Sequence, residues 1–396
     1  MNDDKSLLVD ELPHVAILVD TSTEWGRRLI RGVTSYVDKQ GPWRLWIEPR
    51  GQDEPFHLPA GFAGDGVIAR ISTPSLAEEL SQAGMPVINI SGIELSGNQF
   101  PCVTTDYEAT AKLAAEHFLD RGFREFAYVG PLKRPYVRDH AARFRQAVEA
   151  SCQGAPCRMF NYVPASMTRS SWGGRMQMLG EWLADLPKPI GIFTWATSAG
   201  AQVLDVCRQR DIIVPDEVAV LAGDDDELLC TATTPPMSGV LVSSEQIGHR
   251  AAERLDTLMR GGVDEAGTEQ IGPIQINTRH STEALAIDDP ELSRVVRYIR
   301  SHAYETGLTV AEVSEATLVT RRVLERKFQE VFGRTPLTEI RRLRMARVRD
   351  LLVMTDLPMS KIAAMSGFGT PEYMTNVFRG EYGIAPLKYR SRTRAR

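Results

Sequence analysis

VSEATLVTRRVLERKFQEVFG (313–333) and KIAAMSGFGTPEYMTNVF (361–378) carry one local design twice. At a fixed offset of fifty residues, Thr320 recurs as Thr370, Leu324 as Met374, Phe328 as Phe378, Gly333 as Gly383 and Pro336 as Pro386. A self-match at one offset marks a duplicated supersecondary unit. Each copy reads as a short helix, a turn and a second amphipathic helix, the helix-turn-helix pattern. In the first copy Thr309 can cap a helix bearing Val310, Val313 and Ala316. Thr320 then caps a helix that buries Leu324 and Phe328, with Val323 and Val331 on the same side. That spacing leaves Arg321, Arg322, Glu325, Arg326 and Gln329 pointing outward. In the second copy Ser360 is expected to cap a helix with Ile362, Ala363 and Met365, and Gly367 to make a turn needing positive φ. Thr370 opens the helix of Tyr373, Met374, Val377 and Phe378. Between the copies, Pro336 to Met354 reads as one long helix with Leu337, Ile340, Leu343, Ala346 and Leu351 as its buried stripe.

Charge is divided along the chain. Residues 291–396 hold 20 Lys and Arg against 11 Asp and Glu, which leaves 26 against 40 for the remainder and the overall net charge of −5. A basic module on an acidic body suits a protein that sits on a polyanion: phosphate neutralisation supplies affinity, and arginine also reads guanine edges.

These residues, with RLRMARVRDLL (342–352) and GIAPLKYR (383–390), resemble the AraC-type DNA-binding domain, in which a long helix joins two helix-turn-helix units. The resemblance places Arg322, Glu325 and Arg326 at base-facing positions of the first reading helix. It places Glu372, Tyr373, Thr375 and Asn376 at such positions of the second, with Thr370 at its start a further DNA-binding candidate. Arg321 and Lys327 are expected at phosphates, which position without specifying. Three residues depart from the pattern: Leu318 stands where the first turn usually has glycine, Asn376 replaces a usual arginine, and Gly380 replaces a usual basic residue.

A chain of 396 residues is too long for one core. Its acidic start, MNDDKSLLVDELPH, has no long apolar run, so no secretory signal is expected; no stretch of the chain approaches the roughly eighteen apolar residues of a membrane helix, and the reading is cytoplasmic. Five scattered cysteines (102, 152, 157, 207 and 230) form no C-x-x-C pair and read as reduced thiols.

From His14 to Thr282, near-continuous apolar strands alternate with amphipathic helices. Strands are expected at 14–20, 44–49, 65–71, 86–91, 125–130, 157–162, 190–196 and 218–223. Helices are expected at 107–121, 137–150, 172–185, 198–210 and 244–260. The pattern predicts an α/β fold of two doubly wound lobes in succession, with a ligand in the crevice at the carboxyl ends of the strands. The segments GVIARI, VTTDYEATAKLAAEHFLDRGFREFAYVG and IIVPDEVAVLAGDDDELLC resemble the two-lobed periplasmic-binding-protein-like sensor of LacI-type regulators. A sensor of that kind followed by an AraC-type reader is similar to the xylose-operon regulator group. The expected division is a sensor over 13–282, a linker EALAIDDP over 283–290 and an all-α reader over 291–390. The basic tail SRTRAR is expected to be disordered.

Sugars are held by polar side chains that share hydroxyl hydrogens and by aromatic rings against the C–H face. The candidates at strand ends are Asp20, Arg70, Asp106, Arg138 and Asp224, with Trp25, Tyr136 and Trp195 as stacking surfaces. A strand-end carboxylate can equally cap the next helix, and Arg138 can equally pair with Asp139 or Glu149 on a helix surface. Thr197 stands where the resemblance expects Asp or Asn, which leaves uronates, pentoses and deoxysugars all open. No phosphate-binding, zinc-protease or nucleophile-elbow motif is present, so an enzyme is not expected. GFAGDG (61–66) has its glycines in the wrong order for a dinucleotide loop. DDDE (224–227) reads as a ligand carboxylate followed by helix-start charges ahead of a cation site. The expectation is a transcription activator with no cofactor, whose partners are operator DNA, a small sugar effector, a second copy of the chain as a homodimer, and RNA polymerase.

Overall fold

In the computed structural model the described residues are 12–393, apart from 52–53, 94, 96–99, 152–155, 162–171, 265–266, 284–285 and 288. The first part of the chain runs β1 (His14–Leu18), α1 (Glu24–Gln40), β2 (Arg44–Ile47), β3 (Gly66–Ala69), α2 (Pro74–Gln82), β4 (Val87–Asn89) and β5 (Cys102–Thr105). It then crosses into α3 (Tyr107–Leu119), β6 (Glu125–Gly130), α4 (Pro135–Ser151), β7 (Cys157–Asn161), α5 (Trp172–Ala184), β8 (Ile190–Thr194), α6 (Thr197–Gln209), β9 (Val218–Ala222), α7 (Glu227–Ala232) and β10 (Ser238–Leu241). Next come α8 (Ser244–Met259), β11 (Thr268–Ile271), β12 (Gln275–Asn277) and a 3-10 turn at His280–Thr282.

The strands form two six-stranded sheets, ordered β2-β1-β3-β4-β5-β11 and β7-β6-β8-β9-β10-β12, so the lobes share one winding. All pairings are parallel except β10 with β12. Parallel strands covered on both faces need apolar residues on both sides, which is why β1, β6, β8 and β9 are nearly unbroken hydrophobic runs. The two lobes expected from the alternation are present, but they do not follow one another. After β10 the chain returns to lobe one through α8 and β11, then crosses again to place β12 in lobe two. Periodicity locates a strand without saying which sheet it joins. The short strands β5 (CVTT) and β10 (SGVL) carry too few large apolar residues to be read from pattern alone.

The reader comprises α9 (Pro290–His302), α10 (Val310–Thr317), α11 (Arg321–Phe332), α12 (Pro336–Met354), α13 (Met359–Met365), α14 (Pro371–Tyr382) and α15 (Pro386–Thr393). Local chemistry sets most of its boundaries. Thr309 and Glu312 form a reciprocal capping box at α10, Asp289 accepts from Glu291 N and Leu292 N at α9, and Pro290, Pro336 and Pro371 occupy the first turns of their helices. Four details correct the sequence reading. Pro358, not Ser360, precedes α13, and Thr320 makes no side-chain cap. Leu337 is exposed on α12, whose buried face is Ile340, Met345, Val348, Leu351 and Leu352, and Met365 is also exposed. Helix α15 runs into the tail expected to be disordered, of which 394–396 lie outside the described residues.

Two cores result, one under each helix-turn-helix unit. Leu324 and Phe328 lie in the first with Val313 and Ile340, and Met374 and Phe378 lie in the second with Val348 and Leu352. Helix α12 contributes to both and so sets the separation of the units. At the first turn Leu318 adopts φ 55°, ψ 29°, while Gly367 at the second has φ 75°. The left-handed region costs a side chain roughly 1–2 kcal/mol, and Leu318, at 89 % exposure, recovers little by burial. Leu318→Gly is therefore expected to raise stability by about 1 kcal/mol after the extra entropy of an unfolded glycine is deducted. A rise in the urea midpoint of the full chain would show it, and an unchanged or lower midpoint would refute it.

Candidate functional site

The order of each sheet reverses between its first and third strands, and a crevice opens there at the carboxyl ends. A cavity of ≈ 120 Å³ lies between the lobes. From lobe one it is lined by Asp20 and Thr23 after β1, Trp25 on α1, Arg70 after β3, Ser91 after β4 and Thr105 at the end of β5. From lobe two come Tyr136 and His140 on α4, Trp195 after β8 and Asp224 after β9, with Tyr107 and Thr110 of α3 closing one side. Six of the eight sequence candidates thus share one cavity: Asp20, Trp25, Arg70, Tyr136, Trp195 and Asp224.

The other two are placed elsewhere. Asp106 caps α3, its carboxylate accepting from Ala109 N at 2.9 Å, and it is outside the cavity lining. Arg138 is exposed on α4. Helical geometry explains it: Tyr136 and His140, four residues apart, share a face, and residue 138 points away from them. That spacing could have found His140, which the sequence reading passed over along with Tyr107.

The polar groups are held before any ligand arrives. Asp20 is buried and pairs with Arg70 at 2.8 Å. The turn that presents Asp20 is fixed because a Cβ on Gly26 would sit 1.9 Å from the Asp20 carbonyl oxygen. Asp224 accepts from the Thr197 amide at 2.6 Å and the Thr197 hydroxyl at 2.7 Å. Burial raises its carboxyl above the usual range, Asp225 and Asp226 add to that, and the Thr197 hydrogen bonds oppose it. Thr197, itself outside the cavity lining, therefore meets the cavity through Asp224. Rings form the opposite wall: Trp195 lies 5.1 Å from His140, 5.5 Å from Tyr136 and 6.2 Å from Tyr107. His140 is bonded to the Tyr128 hydroxyl at 2.8 Å, and burial lowers it to about 3, so it is a neutral wall.

Two of the other acids of DDDE, Asp225 and Asp226, have structural partners. Asp225 holds Arg279 at 2.6 Å, and Asp226 caps α7 and accepts from Glu24 N of the opposite lobe at 3.3 Å. Among the described residues no cluster of three or more His, Cys, Asp or Glu could hold a metal ion, and no helix is long and apolar enough to cross a membrane.

On the reader, α11 exposes Arg321, Arg322 and Arg326, and α14 exposes Glu372, Tyr373 and Asn376, with Glu325 and Thr375 at the edges of those faces. Arg321 pairs with Glu325 at 2.9 Å and Arg326 with Glu330 at 2.9 Å. Arg322 has no carboxylate partner among the ion pairs of the described residues. The Thr370 hydroxyl caps α14, accepting from Tyr373 N at 3.2 Å. Lys327, expected at a phosphate, pairs with Asp289 at 2.5 Å and Glu291 at 2.6 Å and ties α11 to the start of α9.

Comparison with known proteins agrees with both halves. Residues 14–113 match the XylR N-terminal domain, 115–282 the periplasmic binding protein-like domain and 313–392 a helix-turn-helix domain. The chain is a DNA-binding transcription regulator in which a two-lobed periplasmic-binding-protein-like sensor precedes an AraC-type reader. Along nearly all its length it is similar to the xylose operon regulatory protein of Escherichia coli (strain K12), 26% identical over 384 residues that cover 95% of this chain and 96% of that one. It is likewise similar to the protein of that name from Haemophilus influenzae, 24% identical over 97% of this chain and 99% of the other. The solved structure of the xylose-binding transcription activator xylR superposes with a TM-score of 0.63 at 25% identity, covering 97% of this chain and 99% of that one. These relatives regulate transcription and are not enzymes.

Proposed function

We propose that this chain is a cytoplasmic activator whose effector is a small neutral sugar, D-xylose being the first candidate, bound by the sensor over 13–282 and answered by the reader over 291–390. The observation that carries this reading is the balance of the cavity. Asp20 pairs with Arg70, Asp224 is held by Thr197, and Tyr136, His140 and Trp195 add rings to the same lining, so the cavity offers acceptors to hydroxyls and faces to C–H groups while the lining guanidinium, Arg70, is already taken and not left for an acidic ligand. The full-length likeness to xylose-operon regulators points the same way. Closure of the lobes on the sugar shifts the population of reader orientations. Two reading helices on one protomer suit successive major grooves, and a homodimer would span four, next to RNA polymerase.

The test is selection of duplexes from a random library by the full chain, followed by titration with and without D-xylose. Enriched sites should contain two half-sites about one helical turn apart, and D-xylose should change affinity by roughly 5–150-fold. Arg322→Ala should cost roughly 1–3 kcal/mol at one base position while leaving the D-xylose melting shift unchanged. Equal loss on every duplex would make Arg322 a phosphate contact, and failure to enrich any sequence would remove the reading altogether.

A further inference from the structure

Helix α3 joins the two functional regions physically. Its first turn supplies Tyr107 and Thr110 to the effector cavity, directly after the lobe-one strand β5. Its body belongs to the other lobe: Ala111, Ala114, Ala115 and Phe118 are buried in the lobe-two core with Phe144, Phe193 and Leu221. Helix α3 thus starts at a crossing between lobes and extends about 20 Å from it. It ends at Asp120, in the signature LDRGF that no cavity residue accounts for.

Asp120 is where the sensor meets the reader. Its carboxylate takes Arg334 at 2.7 Å and Arg342 at 2.6 Å, and its carbonyl accepts from Arg300 at 2.9 Å. The arginines are held in place from the reader's side by Glu339, 1 % exposed, which binds Arg334 at 2.7 Å and Arg342 at 2.9 Å. Burial alone would raise the Glu339 carboxyl, but Arg342, Arg334 and Arg300 hold it at about 2. A carboxylate at the carboxyl end of a helix opposes the helix dipole, so its position on α3 makes physical sense through these arginines. The adjoining backbone is also tied down: Ala286 N donates to Arg121 O at 2.8 Å, Arg121 Nε to Thr282 O at 2.6 Å, and the Arg124 guanidinium to Val331 O. Arg334 immediately precedes the Thr335 cap of α12 and Arg342 lies within it, and α12 underlies both helix-turn-helix cores.

We propose that Asp120 is the positioning residue through which the effector cleft sets the orientation of the DNA reader, with α3 as the lever and α12 as the element it turns. This rests on the reading of the cleft as the effector site. Closure of the lobes about the β5–α3 junction turns lobe two, with α3 in its core, relative to lobe one and so displaces the far end of α3 relative to lobe one. The paired arginines carry that displacement into α12, and both reading helices move together.

The test uses the full chain with Asp120→Asn, which keeps the side chain's shape, eases the helix terminus and leaves Arg334 and Arg342 with Glu339 as partner. D-xylose is the probe, and two readouts are taken: the ratio of DNA affinities with and without it, and scanning calorimetry. The wild type is expected to respond to D-xylose by at least about fivefold in DNA affinity and to unfold in one transition. The variant should keep its D-xylose melting shift, lose the DNA response to below about twofold, and unfold in two transitions, with Asp120→Glu restoring the response in part. An undiminished response in Asp120→Asn would overturn the proposal. If D-xylose leaves even the wild type unmoved, the effector reading fails separately, and calorimetry decides about Asp120: one transition split into two supports the lever. A single transition in both proteins, or two already in the wild type, overturns it.

Discussion

Asp20→Ala is expected to abolish effector binding without unfolding the sensor, a loss of at least about 100-fold in affinity for D-xylose. The carboxylate is 4 % exposed at the switch point of the lobe-one sheet and is the partner of Arg70. Removing it takes away an acceptor of charge-assisted hydrogen bonds from the sugar, and a site left with an unpaired buried polar group discriminates by several kcal/mol. It also releases Arg70, 26 % exposed, from the geometry in which it lines the cavity. Breaking a buried pair costs about 3–5 kcal/mol; Arg70 keeps some contact with water, so the cost to folding should be at the low end. Asp106→Ala is the contrast. It removes a helix cap at about 1 kcal/mol from a carboxylate outside the cavity, and D-xylose affinity should change by less than about threefold. Calorimetric titration of the three proteins measures this, and equal losses in both variants would mean that the cavity has been assigned to the wrong carboxylate.

The second large effect is on folding. Helices α1 and α8 cover one face of the lobe-one sheet and touch backbone to backbone. A Cβ on Gly248 would stand 2.0 Å from the Leu29 carbonyl oxygen, and one on Gly32 would stand 1.9 Å from that of Glu245. Neither obstacle is the end of a flexible side chain, so the helices must separate, lifting Leu29, Val33, Ile247, Ala251 and Leu255 from the core they share. Overpacking costs about 1–3 kcal/mol when side chains can adjust. Here they cannot, and Gly248→Ala is expected to destabilise by about 3 kcal/mol or more, a large part of a typical domain's 5–15 kcal/mol. Gly173, at the start of α5, has nothing within 4 Å of its Cβ position. Gly173→Ala should therefore be neutral or stabilising by up to about 1 kcal/mol. Denaturant midpoints of the two variants give the comparison, and a Gly248→Ala midpoint within error of wild type would refute the close approach.

Much of the site could be read in the sequence for a simple reason. In doubly wound sheets ligands gather at strand carboxyl ends, so a polar or aromatic residue just after an apolar run is already a candidate. Asp20, Arg70, Trp195 and Asp224 were picked in this way, and all four line the cavity. The same signal cannot tell a side chain turned to the crevice from one folded back on its own helix, and Asp106 is such a case. Where a helix lines the crevice, the face matters more than proximity. One turn separates Tyr136 from His140, and Arg138 between them is lost to solvent.

For the reader, the fifty-residue repeat, the turn residues and the charge division determined the helical fold, the duplicated units and which helix faces stay exposed. These are local properties, written in spacings of three, four and fifty and in the φ preferences of Gly367 and its strained counterpart Leu318. The tertiary structure alone decided which lobe each strand joins, that α3 leaves lobe one to be buried in lobe two, and that Lys327 pairs with Asp289 and Glu291. It also decided that Asp120, an unremarkable acid at a helix end, would meet Arg334 and Arg342 more than two hundred residues further on. Pairings at that separation depend on how completed layers stack, and chain periodicity carries no record of that.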